Sequence, residues 1–309
     1  MKRKVIKQGP ATLMVSLPSK WVKKYGVKRG DEIELEEEGN MIMLSTSLNL
    51  PKKEITINIP RISDYAERFV CASYVKGYDI INIKYDDREI YDKILNTSKL
   101  LMGFEIVHNT PNSCKLANIS TKLDQNFEIL LNRLFMNSIS FSKELLHRMK
   151  NLSNIQSLLE YEHNANRISF FCKRVIQKSN IGCSVYSSPS LYSIISHVEE
   201  SIDIFRRITN FFKKNPSIQY NKLKLNKNTI NLFEKCIKLL EVNFKIFNNM
   251  VKEKKMDLSL NLIKEHKSIK DESRYNPDYF KGDPTNSYIC GRLLELIELS
   301  HHNSEELFN

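Results

Sequence analysis

The first 48 residues alternate like strands yet are too few to enclose a core. Leu13, Val15 and Leu17 alternate with Thr12, Met14 and Ser16, and Ile33 and Leu35 alternate with Glu32, Glu34 and Glu36. A period of two predicts strands. Between them Pro18 suits the first turn of a short helix, SKWVKKYG, with Gly26 as its stop. Gly39-Asn40 predicts a turn, and MIMLS a last strand. Below about 60 residues such a unit is marginal without a metal, disulfides or a second subunit. The six cysteines, Cys71, Cys114, Cys172, Cys183, Cys236 and Cys290, lie far apart with no Cys-x-x-Cys pair. That spacing predicts buried free thiols in a reducing cytoplasm. The missing core is therefore expected from a second copy of the chain, making residues 1–48 a dimerisation domain.

Charge in this stretch is segregated. Lys2, Arg3, Lys4, Lys7, Lys20, Lys23, Lys24, Lys28 and Arg29 precede any acid, and Asp31, Glu32, Glu34, Glu36, Glu37 and Glu38 follow directly. The 309-residue chain carries a formal charge of +11, which favours a polyanionic partner. Lys and Arg clusters displace counterions from phosphates and give sequence-independent affinity with a steep salt dependence. Pairing of two copies doubles that field, and the acidic strand is expected to sit away from it. Trp21 and Tyr25 are read as core of the small dimer rather than as a base-stacking pair. No apolar run approaches the roughly 18 residues of a membrane span, and no apolar h-region follows the basic N-terminus. Membrane insertion is not expected, and the cytoplasm is the expected location.

Two further regions follow. Residues 53–120 read as β-α-β-α-β-β, with strands EITINI, YDIINIKY, FEIVHNT and CKLANIS and helices stopped at Gly77 and Gly103. No Gly-rich phosphate loop follows either of the first two strands, so this small α/β module is read as a linker or dimerisation element. From 121 to 309 helical periodicity prevails, with helices expected at 124–150, 152–178, 189–214, 228–254, 256–272 and 286–308. Breaks fall at Gly182, Ser188-Pro189, Pro216 and NPDYFKGDPTN. Six helices in two sets of three, about 121–215 and 225–309, suggest two antiparallel bundles and a duplication. The fold class is α+β.

The segment VSLPSKWVKKYGVKRGDEIELEEEGNMIMLS resembles the SpoVT/AbrB swapped-hairpin family. The resemblance implies an interleaved β-barrel dimer that binds DNA through basic residues on one face. Arg3, Lys4 and Lys23 fall where the family places such contacts, and Lys2, Lys7, Lys20 and Lys24 complete the expected DNA-binding set. The loop KQGPAT lacks the arginine that some members carry before the second strand, so contact is expected with the DNA backbone rather than with bases.

The helical part is similar to PhoU-like phosphate-uptake regulators of the archaeal type, in which an AbrB-like domain precedes the bundle. LLEYEHNANRISFFCKRVI, LYSIISHVEESIDIFRRI and LLELIELSHHNSEELFN carry this resemblance. It implies acid pairs four positions apart on motif helices: Glu162 with Asn166, Glu199 with Asp203, and Glu298 with His302. Residues i and i+4 share a helix face, so two such helices could hold a divalent or iron-type metal ion. In LNLIKEHKSIKDE, lysines flank Glu265 and no clean pair survives. His163, His301 and His302 are otherwise read as surface residues.

The sequence contains no Walker loop, dinucleotide fingerprint, HExxH or Gly-x-Ser-x-Gly, and an enzyme is not expected. The expected function is a homodimeric or larger DNA-binding transcriptional regulator linked to phosphate uptake or phosphate signalling. The alternative is a PhoU-like adaptor that modulates a phosphate transporter ATPase or sensor kinase without touching DNA.

Overall fold

The computed structural model of the chain describes residues 2–9, 12–38, 41–45, 52–59, 65–120, 127–151, 154–179, 186–220, 225–253, 256–274, 276–281 and 283–307. The chain divides into two compact units, Met1–Lys53 and Glu54–Asn309.

In the first unit β1 (Val5–Gln8) pairs antiparallel with β2 (Thr12–Val15), Val5 opposite Val15 and Lys7 opposite Leu13. A second hairpin joins β3 (Glu34–Glu38) to β4 (Met41–Ser45), Leu35 opposite Leu44. Each hairpin is its own two-stranded sheet. Helix α1 (Ser19–Tyr25) lies between them in sequence. The predicted turn at Gly39-Asn40 lies outside the described residues. Strand β1 was not expected from alternation, because Val5-Ile6-Lys7-Gln8 has none. No described side chain in this unit is buried.

The second unit opens with the predicted α/β module. Strands β5 (Glu54–Ile59), β6 (Ile80–Tyr85), β7 (Phe104–Thr110) and β8 (Ser113–Asn118) form one sheet in the order β5-β6-β8-β7. β5 and β6 run parallel, joined by α2 (Ala66–Val75), and the other neighbours are antiparallel. Helix α3 (Arg88–Ser98) is capped by Asp87, whose side chain accepts from the Glu89 N–H at 3.0 Å. Alternate residues Ile81, Ile83 and Tyr85 of β6 are buried and form a cluster with Val70, Tyr74, Ile90, Ile94 and Leu116.

The helices are α4 (Phe127–Lys150), α5 (Leu159–Ser179), α6 (Ser188–Lys214), the short α7 (Pro216–Tyr220), α8 (Lys227–Asn248), α9 (Met256–Arg274) and α10 (Pro284–Glu306). Two of the breaks seen in the sequence, at Ser188-Pro189 and in NPDYFKGDPTN, are capped helix starts, Asn226 caps a further helix, and Gly182 lies outside the described residues. Ser187 accepts from the Ser190 N–H, Asn226 from that of Thr229, and Asp283 from those of Thr285 and Asn286, each satisfying backbone donors left free at a helix start. Pro216 opens α7 rather than only ending α6, which suits a residue with no N–H at the first helical position. The helix expected to start at 152 begins instead at Leu159, after a 3-10 turn at Gln156–Leu158. The helix expected to reach 254 passes into a π-helical turn at Asn249–Glu253.

Two separate bundles were expected, but one apolar cluster runs from Phe127 to Leu307. It is continuous because α4 packs on α5, α6 and α8, while α10 packs on α6, α8 and α9. Of the described cysteines, Cys114, Cys172, Cys236 and Cys290 are buried free thiols and Cys71 is half-buried and free; Cys183 lies outside the described residues. No helix among the described residues is long and apolar enough to cross a membrane.

Candidate nucleic-acid interface and the charged clusters of the helical unit

The basic helix is held by its ends. Pro18 sits extended just before α1, and Gly26 closes it at φ 67°, a left-handed conformation costly for a residue with a Cβ. The Val27 N–H then reaches the Val22 carbonyl at 3.1 Å, the reverse-turn closure common at helix C-termini. Lys23 and Lys24 occupy the last turn and no acid occupies the first, so the cations lie at the negative end of the helix dipole. The next turn is tied by Asp31, whose carboxylate accepts from the Lys28 N–H at 2.6 Å. The Tyr-Gly-Val-Lys-Arg-Gly-Asp run is thus a backbone device that fixes where the lysines stand.

Lys2, Arg3, Lys4, Lys7, Lys20, Lys23 and Lys24 are all exposed. Among the described residues none of them forms an ion pair. Lys24 Nζ lies 5.1 Å from the centre of the Tyr25 ring. Trp21 and Tyr25 tilt against each other at 5.2 Å and are half-buried. Lys7 shares its hairpin face with Val5, Leu13 and Val15, through the pairing of Lys7 with Leu13 and Val5 with Val15.

The acids of the helical unit meet cations of their own chain. Glu162 accepts from Asn166 Nδ2 at 2.8 Å and lies 3.7 Å from Arg206 Nε. Asp203 accepts from the same guanidinium through Nε and Nη2, both at 3.0 Å. These hydrogen bonds hold the Arg206 pKa above its ordinary value against the opposing effect of burial. Glu199 is bound by Lys173 Nζ at 2.7 Å and Ser169 Oγ at 2.8 Å. Glu298 faces Arg274 Nε at 3.1 Å and Lys270 Nζ at 4.0 Å, while Glu265 pairs with Lys238. His302 is exposed. The structure therefore brings Glu162, Asn166 and Asp203 together, but around a guanidinium, and keeps Glu199 and Glu298 in separate ion pairs. Among the described residues no group of three His, Cys, Asp or Glu side chains could hold a metal ion. This donor set does not fit a metal, because a protein cation already occupies each acid. His163 is exposed as expected, whereas His301 is half-buried and pairs with Glu305 at 3.4 Å.

A second charged cluster joins the α/β module to α5. Arg174 is fully buried, yet Nη1 donates to the carbonyls of Tyr74 and Tyr78, both at 2.7 Å, and Nη2 to Asp79 Oδ1 at 2.8 Å. Lys178 Nζ donates to the same oxygen at 2.6 Å. The guanidinium lies 4.9 Å from the Tyr74 ring centre and 4.8 Å from that of Phe104, an arrangement that suits a delocalised cation. Burial pushes the Arg174 pKa down, and Tyr74 and Asp79 oppose that shift. Gly77 makes the approach feasible. Its φ is 85°, and a Cβ there would stand 2.9 Å from Lys178 Cγ. Sequence reasoning missed this clamp, whose one signal is the Lys173-Arg174 pair inside the apolar run Phe170–Ile176.

Residues 6–54 match the family model described as antidote-toxin recognition MazE, bacterial antitoxin. The N-terminal unit is a MazE/AbrB-type, antitoxin-like domain. The match covers a minor part of the chain. No curated protein and no solved structure matches.

Proposed function

We propose that the chain is a DNA-binding regulator that acts as a dimer through its N-terminal unit. Domains of the MazE/AbrB type typically bind DNA and dimerise. The observation that carries this reading is a unit with no core of its own among the described residues, beside seven cations free of ion pairs there. Val5, Ile6, Leu13, Met14, Val15, Leu35, Ile42 and Leu44 are each 42–69% exposed. Covering each contributes about 1 kcal/mol, or about 16 kcal/mol over two copies. Association costs an estimated 4–15 kcal/mol, so the apolar surface on offer is of the size that pairing requires.

Joining two copies puts fourteen cations on one assembly. If half of them engage phosphates, log K falls by about 6 per log unit of salt. The helical unit, PhoU-like in its sequence motifs, is read as the receiver of a phosphate-linked signal. A ligand there acts by favouring one arrangement of the paired DNA-binding units, a coupling of about 1–3 kcal/mol. An electrophoretic shift with the chain's own promoter over a salt series tests the reading. Binding with a steep salt slope is expected, and weak binding that ignores salt contradicts it.

A further inference from the structure

Where α4, α6, α8 and α10 meet, the apolar core is interrupted by polar side chains. Ser138, Ser201, Asn243, Ser300 and Asn303 are each at most 5% exposed. Ser138 and Ser201 are joined through their hydroxyls at 3.1 Å. Asn243 Nδ2 donates to the Ser300 carbonyl at 3.0 Å and to Ser300 Oγ at 2.8 Å. Those two bonds decide which way the Asn243 amide faces, because only its nitrogen can serve a carbonyl. Its oxygen is left buried with no partner, and so are Asn303 Oδ1 and His197 Nδ1.

All three residues line one cavity, whose volume is about 10 Å³. That is room for a single water molecule, and water in a protein interior needs two to four polar partners. A buried polar atom left without a hydrogen bond costs more than an ordinary bond contributes. We propose that this cavity is a site for one internal water, which donates to Asn243 Oδ1 and Asn303 Oδ1 and accepts from His197 Nδ1–H. The two amide oxygens take its two protons, and the imidazole N–H completes a third bond. A cation of similar size, such as ammonium, is excluded by the lining, which contains no carboxylate; a buried charge needs a counter-charge. Burial also pushes the His197 pKa down, which favours the neutral imidazole.

The water links α6, α8 and α10, and His266 Nε2, 3.1 Å from Ser300 Oγ, extends the network to α9. Such a layer fixes helix register, since sliding one helix by a turn strands every polar atom in it. A crystal structure of the full chain at atomic resolution tests the proposal. One water within hydrogen-bond reach of all three atoms is expected; a dry cavity, or an amide turned onto a protein partner, overturns it. In solution, oxygen-17 relaxation dispersion counts long-lived waters, and folded Asn303→Leu is expected to hold one fewer than the parent chain. An unchanged count in a folded variant overturns the site. A bound ammonium resonance in nitrogen-15 spectra overturns the choice of water.

Discussion

Replacing Asp79 by asparagine removes one negative charge from the point where two cations of α5 converge. The two cations respond differently. Lys178 is 22% exposed and can turn to water, but Arg174 shows no surface at all. In Asp79→Asn the guanidinium stays buried with no carboxylate beside it, only carbonyl oxygens and the Tyr74 and Phe104 rings. Removing one partner of a buried ion pair costs about 3–5 kcal/mol. Asparagine keeps an acceptor oxygen at the same place, so a loss near the lower end, about 3 kcal/mol, is expected. Against a typical stability of about 5–15 kcal/mol, that is readily measured. Urea unfolding of the full chain, followed by far-ultraviolet circular dichroism, reports the helical unit and gives the difference from the shift in midpoint. Adding Arg174→Met removes the stranded charge, so the double variant is expected to be more stable than Asp79→Asn alone. If Asp79→Asn lies within about 1 kcal/mol of the parent, or if the two losses simply add, the clamp does not hold the α/β module as described.

His266 is expected to make the second unit acid-sensitive. Burial first, then His301 and Lys270, push its pKa down from 6.5 to about 4. The unfolded chain takes up this proton first, so the stability is complete above about pH 6.5 and is lost as pH falls toward 4, by about 3 kcal/mol. Urea midpoints over this range should show the loss, and His266→Gln should flatten it; an equal slope in the variant refutes the assignment. In the basic helix, Lys23→Ala with Lys24→Ala should reduce the salt slope of DNA binding by about 0.9 for each phosphate that the pair of lysines neutralises in each copy. An unchanged slope in a binding-competent variant places the phosphate-binding groups elsewhere.

The sequence carried the elements because their signals are local. Alternation over Thr12–Val15 and the 3.6-residue period from 127 onward are set by which face meets the core, and Ser187, Asn226 and Asp283 mark helix starts through their own backbone bonds. Strand β1 was hidden because its apolar pair Val5-Ile6 is adjacent, a pattern with no preferred face. The acid pairs were visible at four-residue spacing, but their partners were not. Arg206 comes from the next turn of α6, Lys173 from α5, and Lys270 and Arg274 from α9, and only the packed helices decide whether an acid faces a cation or open space. Asn243 and Ser300 read as ordinary polar positions on amphipathic helices. Their burial depends on five helices converging at one level, which no single helix can announce.

Pairing of the N-terminal unit underlies the proposed DNA binding, and sedimentation equilibrium of the full chain at micromolar concentration tests it directly. A mass of at least two 36.1-kDa chains, falling to one in Leu13→Asp, is predicted. A stable monomer of 36.1 kDa with its strands exposed would contradict it.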